Sequence, residues 1–191
     1  MRILTKEEFF LHKEQWYSAI KKGAVFMYPT DTIYGIGCNA KLDNAVQKIR
    51  KAKERVSNPF SVIAPGKQWI REQCEVTTQA EEWLAKLPGT YTIIFRLRNK
   101  KSVSKSVTMG NDTLGVRIPK HWISAIVAEL GIPIVTTSVN KAGKDFITKP
   151  SEMEESIRDQ VNFAIDDGIL SGKPSTLIHA DKENIEIVER K

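Results

Sequence analysis

The stretch Tyr28-Pro29-Thr30-Asp31-Thr32-Ile33-Tyr34-Gly35-Ile36-Gly37 follows an apolar run and carries a proline, hydroxyl side chains and two glycines. The apolar run, residues 24–28, predicts a buried strand that the proline ends. Threonine hydroxyls both donate and accept hydrogen bonds, and glycines allow close backbone approach. We therefore expect a ligand-binding loop after this strand. An ordinary strand-to-helix turn is the alternative, because neither a dinucleotide fingerprint nor a phosphate-loop pattern is present.

Strands and helices alternate along the rest of the chain. Apolar residues at helical spacing predict helices over 6–22, 43–53, 78–87 and 121–130. Thr5 is the expected cap of the first helix, and Ser151 with Glu154 has the spacing of a capping box that opens another. Short apolar runs predict further strands at 60–64, 91–97, 114–118, 132–136, 175–179 and 185–188. Because several of these strands lack a crossover helix, we expect one α/β domain with a mixed sheet.

Composition limits the classes of protein that are possible. A chain of 191 residues with 41% hydrophobic content is the size of one domain with its own core. The two cysteines, Cys38 and Cys74, suit neither a disulfide framework nor a zinc site. No secretory signal or long apolar segment is present, so we expect a cytoplasmic protein with no membrane contact. The net charge of +6 makes polyanions, nucleotides or RNA reasonable partners.

Three basic side chains are candidates for anion binding. Lys53 and Arg55 end the predicted helix 43–53, where they could contact a triphosphate, and Asn58-Pro59 would hold them near the next strand. The alternative is a solvated helix end. Arg117 lies within an apolar strand, and a buried arginine needs an anion, which is either a structural carboxylate or a substrate.

Hydroxyl and amide side chains follow another predicted strand. Ser138 and Asn140 come after the apolar run 132–136, at the strand end where open α/β sheets bind ligands. These groups could hold phosphate or sugar oxygens, whereas a local hydroxyl-capped turn is the alternative. Ala142-Gly143 extends this loop, and Ser175 and Thr176 repeat the pattern near the carboxyl end.

Other features narrow the chemistry. The histidines, His12, His121 and His179, do not have metalloprotease spacing, and no serine lies in a nucleophile-elbow pattern. This argues against hydrolysis by a triad or by zinc and favours electrostatic stabilisation around phosphates. A basic run in a predicted loop, formed by Arg98, Lys100, Lys101 and Lys105, is a candidate contact for nucleic acid or simply a solvated surface.

Several ordered segments resemble one known family. They are Pro29-Thr30-Asp31-Thr32-Ile33-Tyr34-Gly35, Lys53-x-Arg55, Pro88-Gly89-Thr90-Tyr91-Thr92, Val116-Arg117-Ile118-Pro119 and Ser138-x-Asn140. In this order they are similar to the YrdC-like family of threonylcarbamoyl-AMP synthases. The resemblance implies an α/β fold, a twisted mixed sheet with flanking helices around a large basic cavity. It also implies a single YrdC-like domain over residues 1–191, without the additional C-terminal domain of longer relatives.

The resemblance further implies an activity. Such a nucleotidyltransferase joins L-threonine, bicarbonate and ATP into threonylcarbamoyl-AMP and releases pyrophosphate, for threonylcarbamoyl-adenosine modification of tRNA. Expected partners are tRNA or double-stranded RNA and the downstream threonylcarbamoyl-transferase proteins. Mg²⁺ is the expected cofactor, with Asp31 and Asp112 as candidate outer ligands.

Site residues carried over from the resemblance form three sets, of which the catalytic and ATP sets overlap. The catalytic tetrad would be Lys53, Arg55, Ser138 and Asn140. The ATP site would comprise Lys53, Arg55, Asn58, Thr113, Ser138, Asn140 and Arg190. The threonine site would comprise Thr30, Thr32, Arg117, Thr136 and Ser175.

The chain departs from the family pattern at several positions. Val56 replaces a proline after Lys-x-Arg, Thr90 replaces the second proline of Pro-Gly-Pro, Ile63 replaces a histidine near threonine, and Phe146 replaces a serine near ATP. Two alternatives therefore accompany the synthase interpretation. One is an RNA-binding or ribosome-maturation module that uses the same basic cavity, and the other is a paralogue that acts on a different small molecule.

Overall fold

The computed structural model describes residues 1–141 and 144–190, so the predicted loop pair Ala142-Gly143 lies outside the described residues. The helices are α1 (Lys6–Leu11), α2 (Lys13–Lys21), α3 (Asp43–Ala52), α4 (Lys67–Gln73), α5 (Thr78–Ala85), α6 (Lys105–Thr108), α7 (Ile123–Leu130) and α8 (Glu155–Arg158). The strands of the first half are β1 (Arg2–Thr5), β2 (Phe26–Tyr28), β3 (Gly35–Gly37), β4 (Ser61–Ile63), β5 (Cys74–Glu75) and β6 (Tyr91–Leu97). Those of the second half are β7 (Thr113–Arg117), β8 (Ile134–Ser138), β9 (Phe163–Asp166), β10 (Thr176–His179) and β11 (Glu186–Val188).

The strands form one mixed sheet of 11 strands in the order β1-β9-β2-β3-β8-β4-β7-β6-β10-β11, with β5 paired to β6. The pairs β1–β9, β2–β9, β4–β7 and β6–β10 are parallel, and the others, such as β3–β8 and β4–β8, are antiparallel. This confirms the predicted α/β class with a mixed sheet. Within the described part of the chain, no helix is long and apolar enough to cross a membrane.

Strands β2 and β8 send alternate side chains into two different apolar clusters. In β2, Met27 belongs to one cluster, whereas Phe26 and Tyr28 belong to the other. Neighbouring residues of β8 divide in the same way, with Val135 in the first cluster and Ile134 in the second. Because side chains alternate across a strand, this division means that both faces of the sheet are buried.

Gly37 shows how tightly the central strands pack. A Cβ atom at this position would lie 2.0 Å from the carbonyl oxygen of Val135 in the adjacent strand β8. No side chain fits at that distance, so the second glycine of the opening stretch serves strand packing rather than ligand approach. Gly35 and Gly37 both lie in β3, which sequence analysis had placed in the loop.

The helix at the amino end differs from its prediction. The single helix predicted over 6–22 is two helices, because the chain bends at His12. The bend lets Phe9 and Trp16 both contact Phe163, with ring centroids 6.4 Å and 4.6 Å away. The Thr5 cap is confirmed, as its side chain accepts from the Glu8 N–H in a complete capping box.

The predicted capping box at Ser151 and Glu154 is wrong. Residues Pro150–Glu152 form a 3-10 turn, and α8 starts after Glu154 with no side-chain cap. The Glu152 carboxylate instead accepts from the Thr148 N–H at 2.8 Å. Strands β1, β3, β5 and β9 and helices α4 and α6 were not predicted, because most are short and lack a complete apolar period.

Candidate active site

A cavity of about 190 Å³ lies over the central strands β3, β8, β4, β7, β6 and the start of β10. Its lining is rich in hydroxyl groups and guanidinium groups. The lining residues are Thr30, Thr32, Ile33, Tyr34, Gly35, Arg55, Pro59, Phe60, Ser61, Thr92, Arg117, Thr136, Thr137, Ser138, Phe146, Pro174, Ser175 and Arg190. The volume is below the roughly 300–1,000 Å³ usual for small-molecule sites, so the large size expected for the cavity stays a prediction.

Arg117 ends strand β7 and is held by the loop that follows β2, through Asp31 and Thr32. Its Nη2 atom lies 2.6 Å from Asp31 Oδ1, and the side chains of both residues are more than nine-tenths buried. The other oxygen of Asp31 accepts from the Lys120 N–H at 2.7 Å. Both Nη atoms of Arg117 also lie 3.3 Å from Thr32 Oγ1. The buried arginine is therefore paired with a structural carboxylate, which is the first of the two anions that the sequence left open.

The two threonines of the same loop hold each other in place. Thr30 Oγ1 donates to the Ile33 carbonyl at 2.7 Å and lies 2.9 Å from Thr32 Oγ1. The Thr32 N–H also donates to Thr30 Oγ1. Because the Thr30 proton is used on Ile33, the Thr32 hydroxyl donates to Thr30 and accepts from Arg117. This chain of hydrogen bonds fixes the Arg117 guanidinium at the cavity wall.

A second arginine reaches the cavity from the carboxyl end of the chain. Arg190 donates through Nε to the Ser175 carbonyl at 2.7 Å and through Nη2 to the Ser175 hydroxyl. That hydroxyl also lies 2.6 Å from Thr92 Oγ1 of β6. Burial lowers the pKa of Arg190, and the positive charges of Arg117 and Arg55 lower it further. The charges of Arg117 and Arg55 therefore act on Arg190 at the same cavity.

The third guanidinium, that of Arg55, follows helix α3. It donates to the Pro59 carbonyl at 2.9 Å, lies 3.4 Å from Thr137 Oγ1 and stacks on the Phe60 ring at 5.2 Å. The segment that carries it is fixed by Arg50, which sequence analysis did not single out. Arg50 Nη1 donates to the carbonyls of Arg55 and Asn58 at 3.0 Å and 3.1 Å. The signal for Arg50 in the sequence was its place among the clustered basic residues Lys48, Arg50, Lys51 and Lys53.

Lys53 lies behind the cavity and holds the loop after β8. Its ammonium, on a residue only 3% exposed, donates to the carbonyls of Ser138 and Asn140 and lies 3.4 Å from Asn140 Oδ1. The Ser138 hydroxyl donates to the same Asn140 oxygen. Burial, and to a lesser degree the charge of Arg55, lowers the pKa of Lys53 to about 7. The structure thus brings the four predicted tetrad residues together, with Lys53 bound to backbone oxygens.

Two buried donors are unsatisfied in this region. Arg55 Nε and Arg117 Nε have no hydrogen-bond partner among the described residues. Buried donors are nearly always paired, so unpaired guanidinium nitrogens beside a cavity indicate that it takes a ligand with acceptor oxygens. Within residues 1–141 and 144–190, no carboxylate side chain lines the cavity. The cavity is therefore cationic and rich in hydrogen-bond donors.

The residues do not form a metal site of the kind that sequence analysis suggested. In the described ranges there is no group of three or more His, Cys, Asp or Glu side chains that could hold an ion. The Asp31 carboxylate is occupied by Arg117 and the Lys120 N–H. Asp112 precedes β7 and is not part of the cavity lining. These two aspartates do not fit a magnesium site.

The structure places some of the predicted site residues in the cavity lining and others outside it. Thr30, Thr32, Arg55, Arg117, Thr136, Ser138, Ser175 and Arg190 line the cavity. Asn58 is exposed and contributes its carbonyl to Arg50, and Thr113 lies at the start of β7 outside the lining. Sequence analysis missed Ser61, Thr92 and Thr137 as lining residues. Strand alternation alone could not show which face of β4, β6 and β8 meets the cavity.

The positions that depart from the family pattern have different surroundings. Phe146 lines the cavity, whereas Ile63 is fully buried in the apolar cluster that contains Tyr28. Val56 is 84% exposed. Of these three residues, Phe146 is the one that faces the cavity directly.

Comparison with known proteins decides the family. The Sua5/YciO/YrdC family model, described as "Telomere recombination", matches residues 18–190. The chain belongs to the Sua5/YciO/YrdC family. The family resemblance and the fold expected from it are therefore confirmed.

Individual members of the Sua5/YciO/YrdC family agree in sequence and fold. The putative threonylcarbamoyl-AMP synthase of Methanocaldococcus jannaschii is 36% identical over 180 residues, which cover 92% of this chain and 81% of the relative. Pyrococcus abyssi Sua5, solved in complex with L-threonine, superposes with a TM-score of 0.85 at 28% identity, covering 97% of this chain and 56% of Sua5. Escherichia coli YciO superposes with a TM-score of 0.85 at 25% identity, covering 99% and 94%. This chain thus spans little more than half of Sua5 but most of YciO.

Proposed function

We propose that this protein is an L-threonylcarbamoyladenylate synthase. It forms threonylcarbamoyl-AMP and pyrophosphate from L-threonine, bicarbonate and ATP in the cytoplasm, for threonylcarbamoyl-adenosine modification of tRNA. The observation that carries the proposal is the cationic cavity, in which Arg55, Arg117 and Arg190 face hydroxyl groups and no carboxylate of the described residues. The names of the Methanocaldococcus relative and of the threonine-bound Pyrococcus Sua5 support the same reaction.

The two proposed substrates would contact different residues of the cavity. Arg117 would bind the carboxylate of threonine, and Thr30, Thr32, Thr136 and Ser175 would surround it. A guanidinium with a fixed orientation suits a carboxylate because its hydrogen bonds are charge-assisted, and Arg117 Nε has no partner among the described residues. Asp31 and Thr32 provide this fixation from behind.

ATP would lie against Arg55, Arg190 and the loop of Ser138 and Asn140 that Lys53 organises. Because the enclosed volume is about 190 Å³, ATP would extend beyond it, and Asn58 and Thr113 are the outer residues proposed to approach it. Mg²⁺ would come bound to the triphosphate, since the aspartates tested above do not fit a protein-held ion.

The reaction would need no protein nucleophile. An oxygen of carboxylated threonine attacks the α-phosphorus, the new P–O bond forms, and the bond to the bridging oxygen of pyrophosphate breaks. Negative charge then grows on pyrophosphate, and Arg55 and Arg190 are placed to stabilise it. Positioning and electrostatic stabilisation are the main sources of rate in phosphoryl and nucleotidyl transfer.

The direct test is pyrophosphate release from ATP and bicarbonate, measured with and without L-threonine. We expect release that depends on threonine and that Arg55→Ala reduces by roughly a hundredfold or more, as removal of one preorganised donor usually does. Arg98→Ala is the matched control, because Arg98 is an exposed arginine outside the cavity lining. Release that ignores threonine, or no release at all, would contradict the proposal.

Gly172→Ala should weaken threonine binding while leaving the fold intact. A Cβ atom on Gly172 would lie 2.1 Å from the Thr32 carbonyl oxygen, so the Thr30–Thr32 loop must shift. Overpacking of this kind costs about 1–3 kcal/mol, and if that cost falls on the conformation of the loop that binds threonine, the Kd rises by roughly fivefold to a hundredfold. Calorimetric titration measures the Kd. Gly66→Ala is the control, since its Cβ would meet nothing within 4 Å; equal Kd values in the two variants would contradict the prediction.

An RNA-binding module is the second candidate. The basic run Arg98, Lys100, Lys101 and Lys105 is exposed on the loop after β6 and the start of α6. Phosphate contacts by such a run would give RNA binding that weakens steeply with salt. Salt-sensitive binding of tRNA or double-stranded RNA that survives Lys53→Ala and Arg55→Ala, with no pyrophosphate release, would favour this candidate. A paralogue acting on another small molecule would instead release pyrophosphate without threonine.

The remaining partners follow from the proposed product. Threonylcarbamoyl-AMP is an activated acyl donor, so downstream threonylcarbamoyl-transferase proteins would consume it. The organisation of residues 1–191 as one domain, without an additional C-terminal domain, stays a prediction.

A further inference from the structure

We propose that the cavity binds threonine with its α-amine neutral, so that one proton leaves the amino acid when it binds. This inference rests on the proposed function and specifies the form of the substrate that the site accepts. It is carried by the charges and hydrogen-bonding groups that line the cavity. Threonine is a zwitterion in neutral solution, and its ammonium group needs acceptors or a negative charge when it leaves water.

The charges around the cavity oppose a bound ammonium. Arg55, Arg117 and Arg190 line it, and no carboxylate side chain among the described residues does. Two carboxylates lie near the lining but outside it: Asp31 is held by Arg117 and the Lys120 N–H, and Asp166 lies 3.3 Å from the Tyr34 hydroxyl. A bound ammonium would therefore meet like charges at short range and lose its proton more easily than in water.

Four backbone carbonyls at the cavity already accept hydrogen bonds from the protein. The carbonyl of Ile33 accepts from Thr30, that of Pro59 from Arg55, that of Ser138 from Lys53 and that of Ser175 from Arg190. The lining offers guanidinium N–H groups and hydroxyls instead. The guanidinium N–H groups can donate to the lone pair of a neutral amine but not to an ammonium, which has three N–H donors and no lone pair, whereas the hydroxyls can pair with either form.

Other titratable groups near the cavity do not add a negative charge to its lining. Tyr34 lines it, but its hydroxyl donates to the Gly168 carbonyl at 2.7 Å, and burial raises the pKa of Tyr34 to about 12. Lys53, whose pKa is lowered to about 7, adds positive charge behind the Ser138 loop when it is protonated. His121 faces Asp167, at 3.3 Å.

The neutral amine is the form that the chemistry requires. Its lone pair forms the N–C bond to the bicarbonate carbon, one C–O bond breaks and water leaves. Written with charges, R–NH₂ + HCO₃⁻ gives R–NH–COO⁻ + H₂O, which balances without a further proton. The proton released on binding passes to solvent, so the chain needs no general base at the amine.

Calorimetric titration of L-threonine in buffers of different ionisation enthalpy measures the proton release. The titration is made at pH 7 with the protein alone and with the protein saturated by a non-hydrolysable ATP analogue. We expect close to one proton released per threonine bound. The Kd for threonine should fall about tenfold for each pH unit between 7 and 8, as linkage requires for one proton.

A ligand control separates the amine from the protein groups. 2,3-Dihydroxybutyrate keeps the carboxylate and side chain of threonine but has a hydroxyl in place of the amine. It should bind without the additional proton release, so any proton lost by Lys53 appears in both titrations and is subtracted. Equal proton release for the two ligands, or threonine binding with none, would overturn the inference and leave the proposed function standing. No binding of threonine in either condition would overturn the proposed function as well.

A matched pair of variants tests the electrostatic cause. Thr137→Asp places a carboxylate in the cavity lining, and Thr137→Asn places an uncharged group of the same shape there. We expect clearly less proton release on threonine binding in the aspartate variant than in the asparagine variant. Thermal melting checks that both fold, and equal release in the two folded variants would overturn the inference.

Discussion

Arg117→Ala should abolish threonine-dependent pyrophosphate release and lower the stability of the fold. The first effect follows because Arg117 is the proposed ligand of the threonine carboxylate. The second follows because the variant leaves the Asp31 carboxylate buried without its guanidinium, at 2.6 Å in the native protein. Removing one partner of a buried ion pair costs about 3–5 kcal/mol.

Two further variants separate these effects. Asp31→Asn removes the charge of the partner and keeps one acceptor oxygen, which can accept from Arg117 or from the Lys120 N–H but not from both in the native geometry. It should destabilise the protein less than Arg117→Ala and retain part of the activity. Arg117→Lys retains a charge next to Asp31 but loses the free Nε donor of the guanidinium, so it should fold and still bind threonine poorly. Pyrophosphate release, threonine titration and thermal melting are the measurements. Native threonine affinity in folded Arg117→Lys would contradict the assignment.

Lys53→Met should remove most pyrophosphate release because the loop of Ser138 and Asn140 loses the ammonium that binds its carbonyls. The same variant should change how stability depends on pH. Burial lowers the pKa of Lys53 to about 7 in the folded protein, from an ordinary value of 10.5. Between these two values the unfolded chain binds more protons than the folded one, so stability rises with pH.

The direction in which the melting temperature changes with pH tests the lowered pKa of Lys53 directly. Between about pH 7 and pH 10, Lys53 should make the melting temperature of the native protein rise relative to that of Lys53→Met. Below pH 7 the lysine is charged in both states and the difference between the two proteins should be constant. Lys51→Met, at an exposed position on the same helix, is the control and should follow the native protein. Parallel curves for native protein and Lys53→Met would show that Lys53 titrates normally.

The sequence was most informative where a regular pattern repeats over several residues. The strand predicted at 91–97 has the bounds of β6, and the helix predicted at 43–53 ends one residue beyond α3. The capping box at Thr5 was readable because both of its members are local. Short strands such as β1, β3 and β9 were missed, since three or four residues do not define a period and their pairing comes from distant partners.

For the candidate site, too, some features could be predicted from the sequence and others could not. Its chemical character, with arginines, a lysine and hydroxyl groups and without a catalytic triad, was available from the residue types and their order. The role of each group could not be predicted from the sequence. Lys53 was expected at a phosphate and is bound to carbonyls of Ser138 and Asn140, whereas Arg50 was not considered and fixes the loop of Arg55.

The sequence by itself determined the α/β class, the positions of the long elements, the family and the types of group in the site, because these depend on local periodicity and on ordered motifs. Only the tertiary structure decided that Asp31 pairs with Arg117, that Arg190 reaches Ser175 and that Thr92 and Thr137 face the same cavity. These contacts join residues up to 86 positions apart, as for Arg117 and Asp31. Their geometry is set by strand register and chain path, which no local pattern encodes.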